Sequence, residues 1–304
     1  MHESSPGVST ATRFISIVMP VRNAAASLPR ALDSVAREFA GIPHEIVIAD
    51  GASTDGSVAC IEAHPTRPRL VSTSDHSLYD GLNKAIAAAH GDWVLWLNAD
   101  DEVSRGVSAL CSVAQAGRAA MVTGEAQMLR DSVPAWTSDN HRNALTPERV
   151  LFAIPTINTR LFRKEALRRV GPFSADIGLA ADREFLLRAG RVLADRVAIN
   201  EVVYKYHAGA GSRTMAGDWA SYLRVHTANL ELAAMLETSL HGTEPGLVST
   251  YRQLSHAAVT RAGRMTGGGM REAAMNFARS VARPIDLVSG IRSHVRYRRQ
   301  ASGW

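Results

Sequence analysis

The sequence of 304 residues contains no uninterrupted run of about 18 apolar residues, although hydrophobic residues make up 46% of it. A helix that crosses a bilayer needs a run of that order, so we expect no membrane-spanning helix. The first twelve residues are polar or small and lack the hydrophobic centre of a secretory signal. These absences predict a cytoplasmic protein.

Cysteine is scarce as well. The two cysteines, Cys60 and Cys111, do not show the paired spacing of a metal site. Both fall in predicted helices. We therefore expect two buried thiols in a reducing compartment, with neither a disulfide framework nor a zinc site.

Several motifs that identify other folds are missing. No Gly-x-Gly-x-x-Gly follows the first predicted strand, which argues against a dinucleotide-binding domain. The sequence has no Gly-x-x-x-x-Gly-Lys-Ser/Thr of a P-loop hydrolase and no Gly-x-Ser-x-Gly elbow of an α/β-hydrolase. A nucleotidyltransferase is a weaker candidate, since the first strand is not followed by a glycine-rich stretch that carries Arg and Lys.

Apolar strand patterns alternate with amphipathic helix patterns in the first hundred residues. Such alternation predicts an α/β fold with a mainly parallel sheet and helices on both faces. We divide the chain into a flexible N-terminus (1–13), an α/β domain (14–217) and a helical, basic extension (218–304). The predicted strands cover residues 14–19, 45–50, 69–73 and 93–98, the predicted helices cover 24–39, 56–63, 78–90 and about 103–116, and residues 129–147 are predicted to be rich in loops.

The fourth predicted strand ends abruptly in carboxylates. Residues 93–98 are almost entirely apolar, and Asp100 and Asp101 follow at once. Ligands of parallel sheets bind beyond the carboxyl ends of the strands. Paired carboxylates at that edge suit Mg²⁺ or Mn²⁺, which usually arrive with the phosphates of a substrate. The alternative is a solvated acidic turn or a helix cap, where Asp is common.

Polar clusters follow all four of these strands. They cover residues 20–23, 50–57, 75–84 and 98–101. Parallel strands end at one edge of their sheet, so the clusters are expected to form one pocket. For residues 50–57 a second interpretation holds at the same time: the glycines shape a turn, and Asp55 or Ser57 caps the helix that follows.

In these stretches the chain resembles the family 2 glycosyltransferases of GT-A fold, and within them bacterial enzymes of polysaccharide and cell-envelope assembly. The resemblance covers about residues 14–215 and is carried by residues 17–23, 45–57, 78–101 and 171–190. It implies a mainly parallel central sheet flanked by helices. The C-terminal extension has no motif that we can match.

The resemblance also implies a site for the nucleotide of a sugar donor. Asp50 matches the acid that contacts the nucleobase, while Asn83 and Lys84 match positions near the nucleotide and its phosphates. The implied nucleotide-binding residues are Pro20, Arg22, Asn23, Asp50, Gly51, Ser53, Asp55, Asn83, Lys84, Asn98, Ala99 and Asp100.

A metal site is implied at Asn98-Ala99-Asp100-Asp101, which occupies the position of the family's DXD motif. Asn98 stands where the first Asp often is. Asp100 is therefore the main expected ligand of Mn²⁺ or Mg²⁺, with Asp101 second and His207 third.

Asp182 matches the family's catalytic acid residue, which implies a general base for an inverting transfer of sugar. The alternative role of Asp182 is to stabilise a helix N-terminus. The resemblance implies a UDP-sugar donor, carrying a hexose or N-acetylhexosamine, and a glycan or lipid-linked acceptor. A second hypothesis is a non-catalytic relative that binds nucleotide-sugars or acts as a scaffold in an assembly complex, because the first Asp of the DXD motif is missing.

Other residues have less specific expectations. Residues 206–213 form a candidate lid, and Trp136 is a candidate for stacking on an acceptor. Arg160 and Arg163 either bind acceptor or phosphate, or are solvated at the surface. Trp93 and Trp96 lie inside a strand and are expected in the core.

The last 54 residues contain ten Arg, no Lys and two acids. Their apolar and basic residues recur in a pattern that fits an amphipathic helix on an anionic membrane surface, broken by Pro284 and Gly290. This pattern predicts peripheral attachment at the inner face of the cell membrane. The alternatives are an ordinary helical extension and a disordered basic end, and nucleic-acid binding is not expected.

Overall fold

The computed structural model describes residues 14–72, 74–138, 144–153, 156–208, 219–238 and 245–265. The predicted flexible N-terminus, the predicted boundary at residue 217, the glycine-rich part of the candidate lid and the arginine-rich end beyond residue 265 lie outside the described residues.

Strands and helices alternate along the first half of the chain. The strands are β1 (Ile15–Val21), β2 (His44–Asp50), β3 (Arg69–Ser72), β4 (Trp93–Trp96), β5 (Glu102–Val103), β6 (Met121–Arg130), β7 (Val133–Thr137), β8 (Arg160–Arg163) and β9 (Arg196–Ala208). The α-helices are α1 (Leu28–Glu38), α2 (Ser57–Ala63), α3 (Leu78–Ala88), α4 (Val107–Ala116), α5 (Pro147–Phe152), α6 (Lys164–Val170), α7 (Ala181–Val192), α8 (Trp219–Thr238) and α9 (Pro245–Met265). Short 3-10 helices cover Ile157–Thr159 and Ala175–Ala180.

In the described part of the chain these strands form one mixed sheet in the order β3-β2-β1-β4-β8-β6-β9-β5, with β7 paired to the second half of β6. The first four strands run parallel to one another, as predicted. β8 is antiparallel to both β4 and β6, whereas β6 and β9 run parallel. The predicted α/β fold is confirmed, and the structure adds that the later half of the sheet is mixed.

The sheet is covered on both faces, which explains why its inner strands are continuous apolar runs. All seven residues of β1 are buried. Ile15, Ile17 and Met19 belong to a core cluster with residues of α1 and α4. Val18 points to the other face and belongs to a second cluster, which includes Leu82 of α3. This packing fixes β1 at the centre of the molecule.

The prediction of a loop-rich stretch at residues 129–147 is wrong in its first part. β6 extends to residue 130, and β7 follows after two residues to form a hairpin. Asp131 and Ser132 both have left-handed backbone conformations, with φ values of 49° and 66°. Two such residues in a row form the tight turn that joins paired antiparallel strands.

The C-terminal helices pack on the rest of the molecule. α8 lies against the 3-10 helix at Ala175–Ala180 and against α9, and α9 also contacts α5. Leu232 and Leu247 belong to the same core cluster as Leu82 and Phe185. The helical extension therefore shares its core with the α/β part. None of the helices in the described ranges is both long enough and apolar enough to cross a membrane.

Candidate active site

The predicted site segments meet at one edge of the sheet. β1 and β2 are paired up to Val21 and Asp50, their last residues, and β4 pairs with β1 on its other side. The segments that follow these strands therefore lie next to one another, as the sequence predicts.

Asp50 is the last residue of β2, and one of its two carboxylate oxygens has no hydrogen-bond partner among the described residues. The residue is 1% exposed, and its Oδ2 accepts a hydrogen bond from the backbone N–H of Ser53 over 3.0 Å. Its Oδ1 is buried without a hydrogen-bond partner among the described residues. A buried carboxylate oxygen normally has a donor, so this atom still has the capacity to accept a hydrogen bond.

The loops after β1 and β2 are held together by side chains of the predicted nucleotide set. The backbone N–H of Asn23 donates to Ser53 Oγ over 2.8 Å, and Asn23 Oδ1 accepts from the N–H of Thr54 over 2.9 Å. Asp55 accepts from Ser57 Oγ over 2.6 Å and from the N–H of Ala25 over 2.9 Å, and these bonds lower its pKa. These residues shape the pocket wall through contacts within the protein.

Asp75 lies across the pocket, and two glycines make room for it. A Cβ atom at Gly81 would stand 2.5 Å from Asp75 Oδ2, and one at Gly51 would stand 3.3 Å from the same atom. Gly51 is a predicted nucleotide-binding residue, and its lack of a side chain also leaves room for the carboxylate of Asp75. Nearby, Pro20 is buried in β1, whereas Arg22 is exposed.

Lys84 is held by two carboxylates. Its ammonium donates to Asp80 Oδ2 over 2.9 Å and to Asp75 Oδ1 over 3.0 Å, and these hydrogen bonds raise its pKa. Lys84 therefore neutralises acids of the pocket wall. Its third N–H donates to the carbonyl of Ser74 over 3.1 Å, so contact with a phosphate, as predicted for this residue, would require it to give up one of these three hydrogen bonds.

Asn83 joins two distant parts of the chain. Its Nδ2 donates to the carbonyl of Phe173, and its Oδ1 accepts from the N–H of the same residue, both over 2.9 Å. Both polar groups of the amide are thus engaged with backbone 90 residues away. This clamp gives Asn83 a structural role different from the predicted contact with nucleotide.

Asp101 is buried at the turn after β4. It is 3% exposed, and its carboxylate accepts from Tyr204 Oη over 2.8 Å, from Asn98 Nδ2 over 3.0 Å and from the N–H of His207 over 2.9 Å. Burial, and then the charge of Asp100, raises the pKa of Asp101 to about 7. Two of these three donors belong to β9, so Asp101 anchors the turn to that strand, and its role as second metal ligand stays a prediction.

Asp100 is the exposed carboxylate of the same turn, and its carbonyl accepts a hydrogen bond from Arg30. His207 Nε2 is 2.7 Å from Glu102 Oε1, so Glu102 already engages the ring that was predicted as third ligand. Within the described ranges no three His, Cys, Asp or Glu side chains are arranged to hold a metal ion. The donor set fits an ion that is held by Asp100 and completed by the phosphates of a substrate.

Asp182 lies in the first turn of α7, directly after the 3-10 helix. It is partly buried, and its Oδ1 accepts from the N–H of Arg183 over 2.7 Å. Burial raises the pKa of Asp182 to about 6, and the positive charge of Arg183 opposes that rise. A carboxylate with a pKa near neutrality is suited to take a proton from a hydroxyl group.

Tyr206 of β9 is joined by hydrogen bonds to Asn158 and, through Asn158, to β4. Its hydroxyl donates to Asn158 Oδ1 over 2.6 Å, and Asn158 Nδ2 donates to the carbonyl of Trp96 over 3.4 Å. Burial raises the pKa of Tyr206, and the charges of Asp101 and Asp182 add to the rise. Sequence reasoning missed Tyr204 and Asn158 because no strand-end motif marks them, and it placed Tyr206 in the candidate lid, whereas the structure has Tyr206 in β9.

Some of the remaining expectations from the sequence agree with the structure, and one does not. Trp93 and Trp96 are core residues, 0% and 8% exposed. The expectation that Arg160 is solvated is wrong, since it is 1% exposed and burial lowers its pKa to about 9. Arg163 lies over the ring of Trp93, with its Cζ 4.6 Å from the ring centroid. Trp136 is 37% exposed on β7, where it is accessible for stacking.

Comparison with known proteins points to one family. A family model described as Glycosyl transferase family 2 matches residues 16–174. A PGL/p-HBAD biosynthesis glycosyltransferase of Mycobacterium tuberculosis is 31% identical over 187 residues, which cover 59% of this chain and 70% of that protein.

Solved structures show the same fold at low sequence identity. Residues 1–349 of TarS from Staphylococcus aureus, in complex with UDP-GlcNAc, align with a TM-score of 0.63 at 16% identity, over 88% of this chain and 79% of TarS. The mannosyltransferase PcManGT from Pyrobaculum calidifontis, in complex with GDP-Man and Mn²⁺, aligns with a TM-score of 0.55 at 18% identity, over 91% of this chain and 83% of that chain.

Proposed function

The chain belongs to glycosyl transferase family 2, and from this premise we propose that it is an inverting, metal-dependent enzyme that transfers a sugar from a UDP-sugar to a glycan or lipid-linked acceptor. The observation that carries the proposal is Asp182, a partly buried carboxylate with a pKa of about 6. Asp50 ends β2, Asp100 follows β4, and the hydrogen bonds between Asn83 and Phe173 hold the segment that leads to Asp182 against α3.

Donor binding is assigned to the open edge of the sheet. Asp50 Oδ1 accepts a hydrogen bond from the nucleobase, and the loop that Asn23 and Ser53 hold together forms the wall beside it. Asp100 would hold Mn²⁺ or Mg²⁺, with further oxygen ligands supplied by the phosphates of the donor. Such an ion, when bound, neutralises the charge that develops on the leaving group.

Chemistry is assigned to Asp182. The acceptor hydroxyl attacks the anomeric carbon, the bond from that carbon to the diphosphate oxygen breaks, and a carboxylate oxygen of Asp182 takes the hydroxyl proton. A single displacement of this kind inverts the anomeric configuration. The donor leaves as a nucleoside diphosphate, and the acceptor gains one sugar.

Different observations support the proposed donor and the proposed acceptor. TarS was solved with UDP-GlcNAc and the mannosyltransferase with GDP-Man, so the fold admits either nucleotide and UDP is the assignment to test first. The proposed acceptor follows the Mycobacterium relative, which is named for PGL/p-HBAD biosynthesis. Peripheral attachment to the inner face of the membrane is proposed from the ten Arg of the last 54 residues alone.

Nucleotide binding tests the donor half of this proposal. Thermal unfolding of the full chain is measured with UDP, GDP, CDP and dTDP, each with and without Mn²⁺. A ligand that binds the native state raises the unfolding temperature. We expect the largest shift with UDP plus Mn²⁺ and loss of the metal-dependent part in Asp100→Ala. A shift that is equal with and without Mn²⁺ would contradict the metal assignment.

One observation favours a second candidate, a non-catalytic relative that binds nucleotide-sugars. Asn98 replaces the first Asp of the DXD motif, and internal hydrogen bonds occupy both Asp101 and His207. Only Asp100 then remains exposed in the turn. Binding of UDP-sugars without transfer or hydrolysis would select this candidate.

A further inference from the structure

One face of α1 lies along the turn that carries Asp100 and along the strand that follows it. Three residues of this face contact the stretch between Asp100 and Val103, and they are Arg30, Ser34 and Arg37. Ser34 Oγ accepts a hydrogen bond from the backbone N–H of Val103 over 3.1 Å. Residues four and three positions apart lie on the same side of a helix, so α1 supports this stretch over two helical turns.

Arg30 is the residue of this face that contacts Asp100 itself. Its Nη2 donates to the backbone carbonyl of Asp100, and its Nε lies 3.6 Å from Glu102 Oε1. A guanidinium is planar and presents its N–H groups in a fixed fork, so Arg30 fixes two residues of the segment relative to each other. The side chain of Arg30 is 43% exposed, so a substitution there does not open the core.

β9 holds the same turn from the other side. Tyr204 Oη and the backbone N–H of His207 donate to the carboxylate of Asp101 over 2.8 Å and 2.9 Å. Asp100 differs from its neighbour, because its carboxylate is exposed and its backbone carbonyl is held by Arg30. The turn is thus fixed between β9 and α1, and the exposed acid lies on the side of α1.

We propose that Arg30 is a positioning residue of the metal site, whose hydrogen bond to the carbonyl of Asp100 fixes the backbone that carries the metal-binding carboxylate. This inference rests on the proposed function and adds a residue of α1 to it. A flexible chain must lose conformational freedom when its side chain binds an ion. A backbone that is already fixed loses less, so the hydrogen bond of Arg30 strengthens the binding of Mn²⁺ or Mg²⁺.

The positive charge of Arg30 acts in the opposite direction. A guanidinium near a divalent cation repels it, and the carboxylate of Glu102 offsets only part of that repulsion. If charge were the whole effect, removal of Arg30 would tighten the binding of Mn²⁺. If Arg30 positions Asp100, its removal weakens that binding. The sign of the change therefore distinguishes the two effects.

The test is the substitution Arg30→Met in the full chain, which removes the charge and every hydrogen-bond donor of the side chain. Mn²⁺ is titrated in the presence of excess UDP, and the electron paramagnetic resonance signal of free Mn²⁺ reports binding without any turnover. Loss of one hydrogen bond is expected to weaken Mn²⁺ binding about three- to tenfold. Affinity for UDP without metal, measured by calorimetry, should stay within about twofold of wild type.

The matched control is Arg37→Met, which removes the same charge from the same face of α1. Arg37 contacts Glu38 over 2.8 Å and Glu102 over 3.5 Å, so this variant loses an ion pair with Glu102 but keeps the hydrogen bond of Arg30 to Asp100. Its affinity for Mn²⁺ should stay within about twofold of wild type, because surface ion pairs contribute little.

Three results would overturn the inference and leave the proposed function intact. The first is an affinity of Arg30→Met for Mn²⁺ that equals or exceeds that of wild type. The second is an equal loss of Mn²⁺ affinity in Arg37→Met. The third is a parallel fall of the metal-free UDP affinity and of the unfolding temperature in Arg30→Met, which indicates a general structural role. A wild-type chain that binds UDP but no Mn²⁺ would instead refute the proposed metal site, and the inference would fall with it.

Discussion

At the scale of single residues, three carboxylates differ in their surroundings and so in their proposed tasks. Asp50 is buried with one open oxygen, Asp100 is exposed, and Asp182 has a pKa raised to about 6. Acids whose surroundings differ in this way can have different tasks in one site, so that one carboxylate binds a ligand and another takes up a proton.

The raised pKa of Asp182 predicts the acid limb of the pH profile. The base must be ionised to accept a proton, so kcat/KM should rise with pH through about 6 and level off above it. Below that pH the rate constant should fall about tenfold per pH unit. Initial rates between pH 4.5 and 8.5 check this, and a flat profile across the range would argue against Asp182 as base.

The hydrogen bond that we propose between the nucleobase and Asp50 predicts that the protein distinguishes uracil from cytosine. The N3–H of uracil can donate to Asp50 Oδ1, whereas N3 of cytosine is an acceptor and suits the amide of an asparagine. Asp50→Asn should therefore weaken UDP binding about tenfold, the effect of one hydrogen bond, and weaken CDP binding less. Calorimetric titration of both nucleotides measures the ratio. Equal losses for UDP and CDP would indicate that Asp50 does not contact the base.

Sequence alone predicted which residue types follow the ends of the parallel strands, because strand ends are local features. It did not predict that the carboxylate of Asp101 already accepts hydrogen bonds from within the protein. The donors to Asp101 on β9 are Tyr204 and His207, which are 103 and 106 residues away along the chain. Such a contact depends on the pairing of distant strands and has no local signal.

At the scale of secondary structure elements, the clamp between Asn83 and Phe173 connects α3 with the segment that leads to α7. It fixes the start of the 3-10 helix relative to the sheet, and through it Asp182. The position of the proposed base thus depends on a residue predicted to bind nucleotide.

The substitution Asn83→Ala distinguishes the structural role of Asn83 from its predicted role in nucleotide binding. Loss of both hydrogen bonds would leave the backbone groups of Phe173 without this partner, and about 1–3 kcal/mol of unfolding free energy should be lost. Urea denaturation measures this change. Affinity for UDP should remain within about twofold of wild type, because a factor of two corresponds to well under one hydrogen bond. Unchanged stability with a large loss of affinity would instead support the nucleotide role.

The elements themselves were predictable where their patterns were regular. The four parallel strands and α3 were found from apolar periodicity. The β6–β7 hairpin was missed because Asp131-Ser132 lacks the Asn-Gly or Asp-Gly sequence typical of such turns. The start of α1 was predicted four residues early, since Ala24 fits a helix pattern although the helix begins at Leu28.

At the scale of the whole molecule, α8 and α9 share a hydrophobic core with α3 and α7. The sequence predicted an extension separated near residue 217, because the helical pattern changes there. It did not reveal the shared core, since packing between helices so far apart in the chain leaves no periodic signal.

Truncation tests the consequence of this shared core. A chain that ends at residue 217 exposes the partners of Leu232, Leu236 and Leu247, which are at most 7% exposed in the full chain. We expect it to lose its cooperative thermal transition, because burying each such side chain contributes roughly 1.5–3 kcal/mol. Calorimetry of both chains checks this. A cooperative transition at the wild-type temperature would show that residues 14–217 fold independently.

The most direct test of the account compares sugar transfer by wild type and Asp182→Asn, measured as nucleoside diphosphate released from UDP-sugars with Mn²⁺ and acceptor sugars. The account predicts that the variant binds UDP as wild type does but loses at least about a hundredfold in kcat, the usual contribution of a general base. The pKa of Asp182 is higher in the folded chain than its ordinary value, so its charge opposes folding at pH 8, and the variant should be at least as stable there. Normal turnover by Asp182→Asn would contradict the account.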